Sequence, residues 1–155
     1  MNDLNDSVIR KYISSDKASV VELLILNTPA FFEPSEQKLF ENYLEKLSDN
    51  YFVLENDAKE IVAVGGINLH VDSTDSARLA WDIVHPNYQR KGLGTKLLKF
   101  RLNQIHKNYD TIKKVYVRTS QFVYNFYEKE GFELMEIQDN YWADGYHLYK
   151  LVYTF

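Results

Sequence analysis

The segment VHPNYQRKGLGTKLLKF, Val84 to Phe100, joins a β-like stretch to a leucine-rich one through two glycines and a run of cations. Glycine costs helix stability and clustered positive charge repels itself, so a ligand outside the chain is a natural reason for the arrangement. A helix start exposes unpaired N–H groups and the positive end of its dipole. With Gly92 and Gly94 in the turn, those donors can approach phosphate oxygens, and Arg90, Lys91 and Lys96 add charge nearby. Two common nucleotide loops do not fit. The glycine, lysine and hydroxyl spacing of a P-loop is absent, and Leu97 stands where a dinucleotide fingerprint needs its third glycine. Taken alone, the two glycines are also explained by a tight turn with solvated cations around it.

Working outward, ARLAWDIV (Ala77 to Val84) is a strand, and Leu93, Leu97, Leu98, Leu102 and Ile105 recur at helical spacing to about Lys107. Upstream, Val8 to Ile13 is a short strand. Ser15 or Asp16 can cap a helix carrying Val20, Leu23 and Leu24, which Pro29 ends. A second helix starts near Ser35 with Leu39, Phe40, Tyr43, Leu44 and Leu47 on one side. Tyr51 to Asn56 and Glu60 to His70 form a hairpin. Downstream come the strand Lys114 to Ser120, the helix Gln121 to Glu130 closed by Gly131, and strands over Phe132 to Ile137 and Tyr146 to Phe155. The order β-α-α-β-β-β-α-β-α-β-β predicts a mixed α/β (α+β) fold with one central sheet.

The chain has 155 residues, enough for one domain with a sizeable core, so residues 1–155 are expected to form a single domain. Twelve tyrosines and nine phenylalanines predict an aromatic-rich core or pocket. The formal charge of −4 argues against a general nucleic-acid binder. With no cysteine, disulfides, thiolate zinc clusters and a covalent cysteine intermediate are excluded. The polar start lacks a signal peptide's apolar core, and no apolar run approaches the roughly 20 residues of a membrane helix, so a cytoplasmic location without membrane association is the default. His70, His85, His106 and His147 fall on separate elements without ligand spacing, which predicts no metal site.

Val84-His85-Pro86-Asn87-Tyr88-Gln89-Arg90-Lys91-Gly92-Leu93-Gly94-Thr95 resembles the acetyl-CoA signature of the GCN5-related N-acetyltransferases: a strand-ending valine, a nearby proline, then Q/R-x-x-G-x-G/A. SQFVYNFYEKEGF, Ser120 to Phe132, resembles the family's later strand–helix motif, with Tyr127, Gly131 and Phe132 in register. The order of elements is similar to that of the family as well. The resemblance implies a mostly antiparallel central sheet flanked by helices, acetyl-CoA or CoA as co-substrate with no metal, and direct attack of a neutral amine on the thioester carbonyl.

By the same resemblance, backbone N–H groups from Gln89 through Leu93 and Gly94 to Thr95 cradle the CoA pyrophosphate, and Arg90, Lys91 and Lys96 neutralise it. Ile83 and Val84 match the strand that runs alongside the pantetheine arm, and the Val84 N–H matches the carbonyl-oxygen donor. Tyr127 matches the acid that protonates the leaving thiolate. A core tyrosine on an aromatic helix is its alternative. Ser120 stands where the family often has a cofactor-binding asparagine, and a hydroxyl can serve there.

Asp82 projects to the same sheet face as Val84 and is the candidate base for the amine, directly or through water. A structural carboxylate paired with a cation explains it equally well. Phe31, Phe32 and Tyr43 are candidates for a wall of the acceptor pocket, and NYWADGYHLY for its border or a subunit contact. Glu33, Glu36, Glu41 and Glu45 suit a cationic amine or a solvated helix face. The acceptor, small molecule or peptide, is left open, and a homodimer is a family-level expectation. A catalytically silent CoA-binding sensor on the same fold is the competing function.

Overall fold

The computed structural model describes residues 6–155; the first five residues of the polar start lie outside them. The strands are β1 (Val8–Lys11), β2 (Tyr51–Glu55), β3 (Ile61–Leu69), β4 (Ser76–Val84), β5 (Lys114–Thr119), β6 (Glu133–Ala143) and β7 (Tyr146–Thr154). The helices are α1 (Lys17–Leu26), α2 (Glu36–Lys46), α3 (Leu93–Asn108) and α4 (Tyr124–Lys129). Their order is the predicted one. Hydrogen bonds link the strands into a seven-stranded sheet in the order β1-β2-β3-β4-β5-β7-β6. β5 runs parallel to β4, whereas β1–β2, β2–β3, β5–β7 and β6–β7 are antiparallel, so this is a mixed α/β fold with a mostly antiparallel sheet flanked by helices.

The chain divides into two compact units, Met1–Gly66 with Trp81–Arg101, and Ile67–Ala80 with Leu102–Phe155. In the first, every residue of β2 up to Leu54 is buried, which requires cover on both sheet faces. Val20, Leu23 and Leu24 of α1, Phe40 and Leu44 of α2, and Leu93, Leu97 and Leu98 of α3 supply the apolar surface of that core. In the second, Val115 and Val117 of β5, Leu148 and Leu151 of β7, Tyr127 and Phe132 are buried.

Several local expectations need correction. In α2, Leu39 and Leu47 are each 58 % exposed, and the buried face is Glu36, Phe40, Tyr43 and Leu44. Leu47 has left helical geometry at the C-cap, and Leu39 sits one helical step, about 100°, away from Phe40. The predicted helix Gln121 to Glu130 shrinks to α4, because the Gln121 side-chain amide instead donates to Gly145 O (2.7 Å) and accepts from the His147 N–H (2.9 Å). β6 runs six residues past Ile137 to a two-residue turn, Asp144-Gly145, with Gly145 at φ +82°. Asp-Gly between strand residues is a strong hairpin signal, and the extra strand length follows from it.

Asp16 does not cap α1 with its side chain. Its carboxylate accepts from both Arg10 guanidinium nitrogens (2.8 and 2.9 Å) and from the Ile13 N–H (2.9 Å), tying β1 to the turn before α1. The Arg10 hydrogen bond, aided by the Ile13 N–H and opposed by burial, holds the Asp16 carboxyl below the usual carboxylate range. A depressed folded value means the stabilisation is present above the unfolded carboxyl value, about 4, and is lost as pH falls through the folded one. Asp16→Asn is therefore expected to cost about 1–2 kcal/mol at neutral pH, with the deficit shrinking below about pH 4. Urea melts of both proteins across that range would show it, and a deficit independent of pH would contradict the pairing.

Candidate functional site

In the first unit the signature segment is a tethered loop. His85 ends β4, its N–H donating to Val62 O (2.8 Å), and its Nδ1 accepts from the Asn87 N–H (3.1 Å) to cap a single 3-10 turn, Pro86–Tyr88. The Gln89 side chain donates to Val84 O (3.1 Å) and to Asn27 Oδ1 (2.9 Å). Asn27, just past α1 and 3 % exposed, itself donates to Val84 O (3.1 Å) and Leu23 O (2.8 Å). The Val84 carbonyl is thus held by two amides, one from the loop and one from the residue that follows α1.

Arg90 and Gly92 both take left-handed backbone angles, φ +62° and +83°. A Cβ at Gly92 would meet nothing within 4 Å, so backbone conformation rather than space explains glycine there. The chain then enters α3, whose first closing bond runs from the Lys96 N–H to Gly92 O (3.0 Å). The N–H groups of Leu93 and Gly94, at the very start of α3, have no carbonyl within the helix to reach. Leu93 is buried and anchors the turn, while Arg90 and Lys91 are exposed and form no hydrogen bond or ion pair among the described residues. Lys96 behaves differently, donating to Ser7 O (2.9 Å) and Ser7 Oγ (2.5 Å).

Within the same unit, Asp82 is ion-paired. Arg101 Nη1 and Nη2 donate to its two oxygens at 2.6 and 2.8 Å, and Nη1 also reaches Gly66 O at 3.1 Å. The Arg101 side chain is 1 % exposed and that of Asp82 is 21 % exposed, so the pair is buried at its cation and partly exposed at its carboxylate side chain. The structural explanation of Asp82 therefore has a named partner.

Arg101 escaped the sequence reading although a signal was present: Leu93, Leu97, Arg101 and Ile105 are spaced by four on one apolar face, where a lone cation demands a counter-charge. The second signal is Gly65-Gly66 in mid-strand, a mark of close approach. A Cβ at Gly65 would stand 2.8 Å from Arg101 Cζ, and one at Gly66 would stand 2.6 Å from the Tyr43 hydroxyl.

Trp81, next to Asp82, is surrounded by aromatics: Phe40 at 4.9 Å, Phe32 stacked at 6.2 Å and Tyr43 at 6.4 Å between ring centroids. Phe31 is half-buried. Burial pushes the Tyr43 and Tyr51 phenols up, which keeps both as O–H donors. A cavity of about 460 Å³ lies beside His85 but is lined by none of the other signature residues, and its Arg10 is already paired with Asp16 and Glu55.

In the second unit, Ser120 is buried at the end of β5. Its Oγ accepts from the Phe122 N–H (3.3 Å) and its carbonyl from the Val123 and Tyr124 N–H groups (3.2 and 3.1 Å), so it organises the start of α4. Tyr127, on the last turn of α4, is 2 % exposed, with Phe126 and Phe132 edge-on at 5.0 and 5.5 Å. The Phe132 N–H donates to Tyr127 O (3.0 Å), and Gly131 at φ +96° makes that reversal. No group of three His, Cys, Asp or Glu that could hold a metal occurs among the described residues, and no described helix is long and apolar enough to cross a membrane.

Comparison with known proteins bears on the same segments. N-alpha-acetyltransferase 50 of Danio rerio is 28 % identical over 144 residues, covering 85 % of this chain and 82 % of that protein. The ribosomal-protein-S18-alanine N-acetyltransferase from Escherichia coli superposes with a TM-score of 0.76 at 19 % identity, over 96 % of this chain and 93 % of that one. An aminoglycoside 6'-N-acetyltransferase solved with coenzyme A superposes with a TM-score of 0.72 at 16 % identity, over 95 % and 96 % of the two chains. The family model described as the acetyltransferase (GNAT) domain matches residues 14–154, taking in the glycine turn and the Tyr127 motif alike. The chain belongs to the GNAT family of acetyltransferases.

Proposed function

We propose that residues 1–155 act as one N-acetyltransferase domain, moving an acetyl group from acetyl-CoA directly to a primary amine while both substrates are bound. The observation that carries this is the Val84–Lys96 loop: left-handed residues turn its backbone at the start of α3 beside two unpaired cations, Arg90 and Lys91. That donor set suits a pyrophosphate. The N–H groups from Gln89 through Gly92, Leu93 and Gly94 to Thr95 are assigned to it. Lys96 joins them by releasing Ser7.

Main-chain groups of Ile83 and Val84 are assigned to the pantetheine arm. The amine nitrogen forms a bond to the thioester carbonyl carbon, and the Val84 N–H stabilises the negative oxygen of the tetrahedral intermediate. Collapse breaks the carbon–sulfur bond, and the electron pair leaves on sulfur. Tyr127 gives its phenolic proton to that thiolate, Ser120 supplies a cofactor contact, and the proton lost by the amine passes to Asp82, directly or through water. No metal takes part. The acceptor is a primary amine of a protein or of a small molecule, both of which occur in the names of the similar proteins: a ribosomal-protein alanine N-acetyltransferase and an aminoglycoside 6'-N-acetyltransferase.

Purified protein is expected to be stabilised by acetyl-CoA, by about 2.7 kcal/mol at a hundredfold excess over Kd, and not by ATP or NAD at equal concentration. It should also release CoA thiol in the presence of a suitable peptide or small amine. Absence of binding at high micromolar acetyl-CoA would overturn the assignment. Binding without thiol release across a broad amine panel would favour a CoA sensor instead.

A further inference from the structure

Trp81 is a bulky aromatic in the left-handed backbone region, at φ +52°, in the middle of β4. Such a residue persists only where its surroundings over-determine it, and strain of this kind concentrates at functional sites. Here the surroundings are explicit. The hydroxyl of Tyr51, itself 0 % exposed, donates to Trp81 O at 2.8 Å. The indole is packed against Phe32 and Phe40, and the next residue, Asp82, is gripped at both oxygens by buried Arg101, which also donates to Gly66 O in the neighbouring strand. Two residues further on, the Val84 carbonyl is held by Asn27 and Gln89.

The His85 N–H points to β3, where it meets Val62 O, so by the alternation of an extended strand the Val84 N–H points to the opposite edge of β4. Its direction depends on the backbone angles between Trp81 and Val84. We propose that Tyr51 and Arg101 are positioning residues for acyl transfer: they hold the left-handed turn at Trp81 and, through it, aim the Val84 N–H at the position of the developing oxyanion. The inference rests on the assignment of Val84 as that donor. Misplacing such a donor by about 1 Å costs on the order of a hundredfold in rate.

Tyr51→Phe removes one hydroxyl and keeps the ring, and Arg101→Lys keeps the charge but loses the two-pronged grip on Asp82. In the full-length protein, Tyr51→Phe is expected to lower kcat about 10- to 100-fold, leave the Kd for CoA within about twofold, and shift the Val84 amide resonance in a ¹⁵N-labelled sample. Arg101→Lys should do the same, and the double variant should lose less than the product of the two factors, because both act on one turn. A merely structural role would lower thermal stability while leaving kcat of the folded protein and the Val84 resonance in place. Wild-type kcat in Tyr51→Phe, or a lowered kcat with an unmoved Val84 resonance, would overturn the proposal even if Arg101→Lys fails to fold. If the wild type acetylates no amine, the enzymatic assignment falls by itself, and the resonance still decides whether Tyr51 sets the Val84 geometry.

Discussion

Replacing Tyr127 with phenylalanine is expected to lower kcat about 10²- to 10³-fold while leaving CoA affinity nearly unchanged. The substitution deletes one oxygen and keeps the ring that packs edge-on against Phe126 and Phe132, so the close of α4 at Gly131 should persist. What disappears is the proton donor assigned to the departing thiolate. A thiolate that leaves without gaining a proton leaves more slowly and is prone to recapture by the amide carbonyl. Steady-state release of CoA, paired with calorimetric titration of CoA into the same preparation, separates chemistry from binding. A variant with unchanged kcat would return Tyr127 to the role of a core tyrosine. One that loses CoA binding and turnover together would make its contribution one of cofactor packing.

The largest effect on stability is expected at Arg101. Arg101→Ala removes the donor shared by Asp82 and Gly66 O and empties the volume of a side chain that is 1 % exposed. Breaking one side of a buried ion pair costs about 3–5 kcal/mol, and the partial exposure of the Asp82 side chain places this case near the lower end, at about 3 kcal/mol. For a chain of this length that is a fall of about 6–12 °C in Tm. Adding Asp82→Asn to Arg101→Ala should cost little more, because the carboxylate charge left behind is the main penalty. Thermal melts of the two single variants and the double variant measure the coupling. Simple addition of the single losses would mean that the two side chains are energetically independent.

The close packing around the pair also explains Gly65, and that around two tyrosines explains Gly66. Any side chain at Gly65 would enter the space of the guanidinium, and one at Gly66 would enter that of Tyr43 and Tyr51. Three elements distant in sequence, α2, β3 and α3, meet at that notch, and none of them announces the meeting locally. Apolar periodicity did mark which face of α3 is buried, but Arg101, spaced by four from Leu97 and Ile105 on that face, went unread. Periodicity says nothing about partners, since whether a cation there finds Asp82 depends on how α3 lies against β3 and β4.

The same limit accounts for the smaller misjudgements. Ser15 and Asp16 have the composition of a helix cap, yet Arg10 on β1 takes the carboxylate, because a charged donor outcompetes a backbone N–H. Leu39 and Leu47 look like core residues from spacing alone but fall outside the stripe that α2 buries. Gln121 looks helical until the β6–β7 turn offers it two backbone partners.

By itself, the sequence determined the order of the elements, the mixed sheet and the family, because these rest on local signals: residue periodicity, turn chemistry, and the spacing within Val84–Thr95 and Tyr127–Phe132. Tertiary structure alone decided that Trp81 takes a left-handed backbone, that Tyr51 and Arg101 hold it there, and that Asp82 is an ion-paired carboxylate. Those properties arise where residues far apart in the chain are pressed together, as Tyr51 with Trp81, Gly66 with Arg101 and Asp82 with Arg101 are. The free energy that selects them is the cost of leaving a buried donor or charge without its partner, and no short stretch of sequence contains both halves of such a pair.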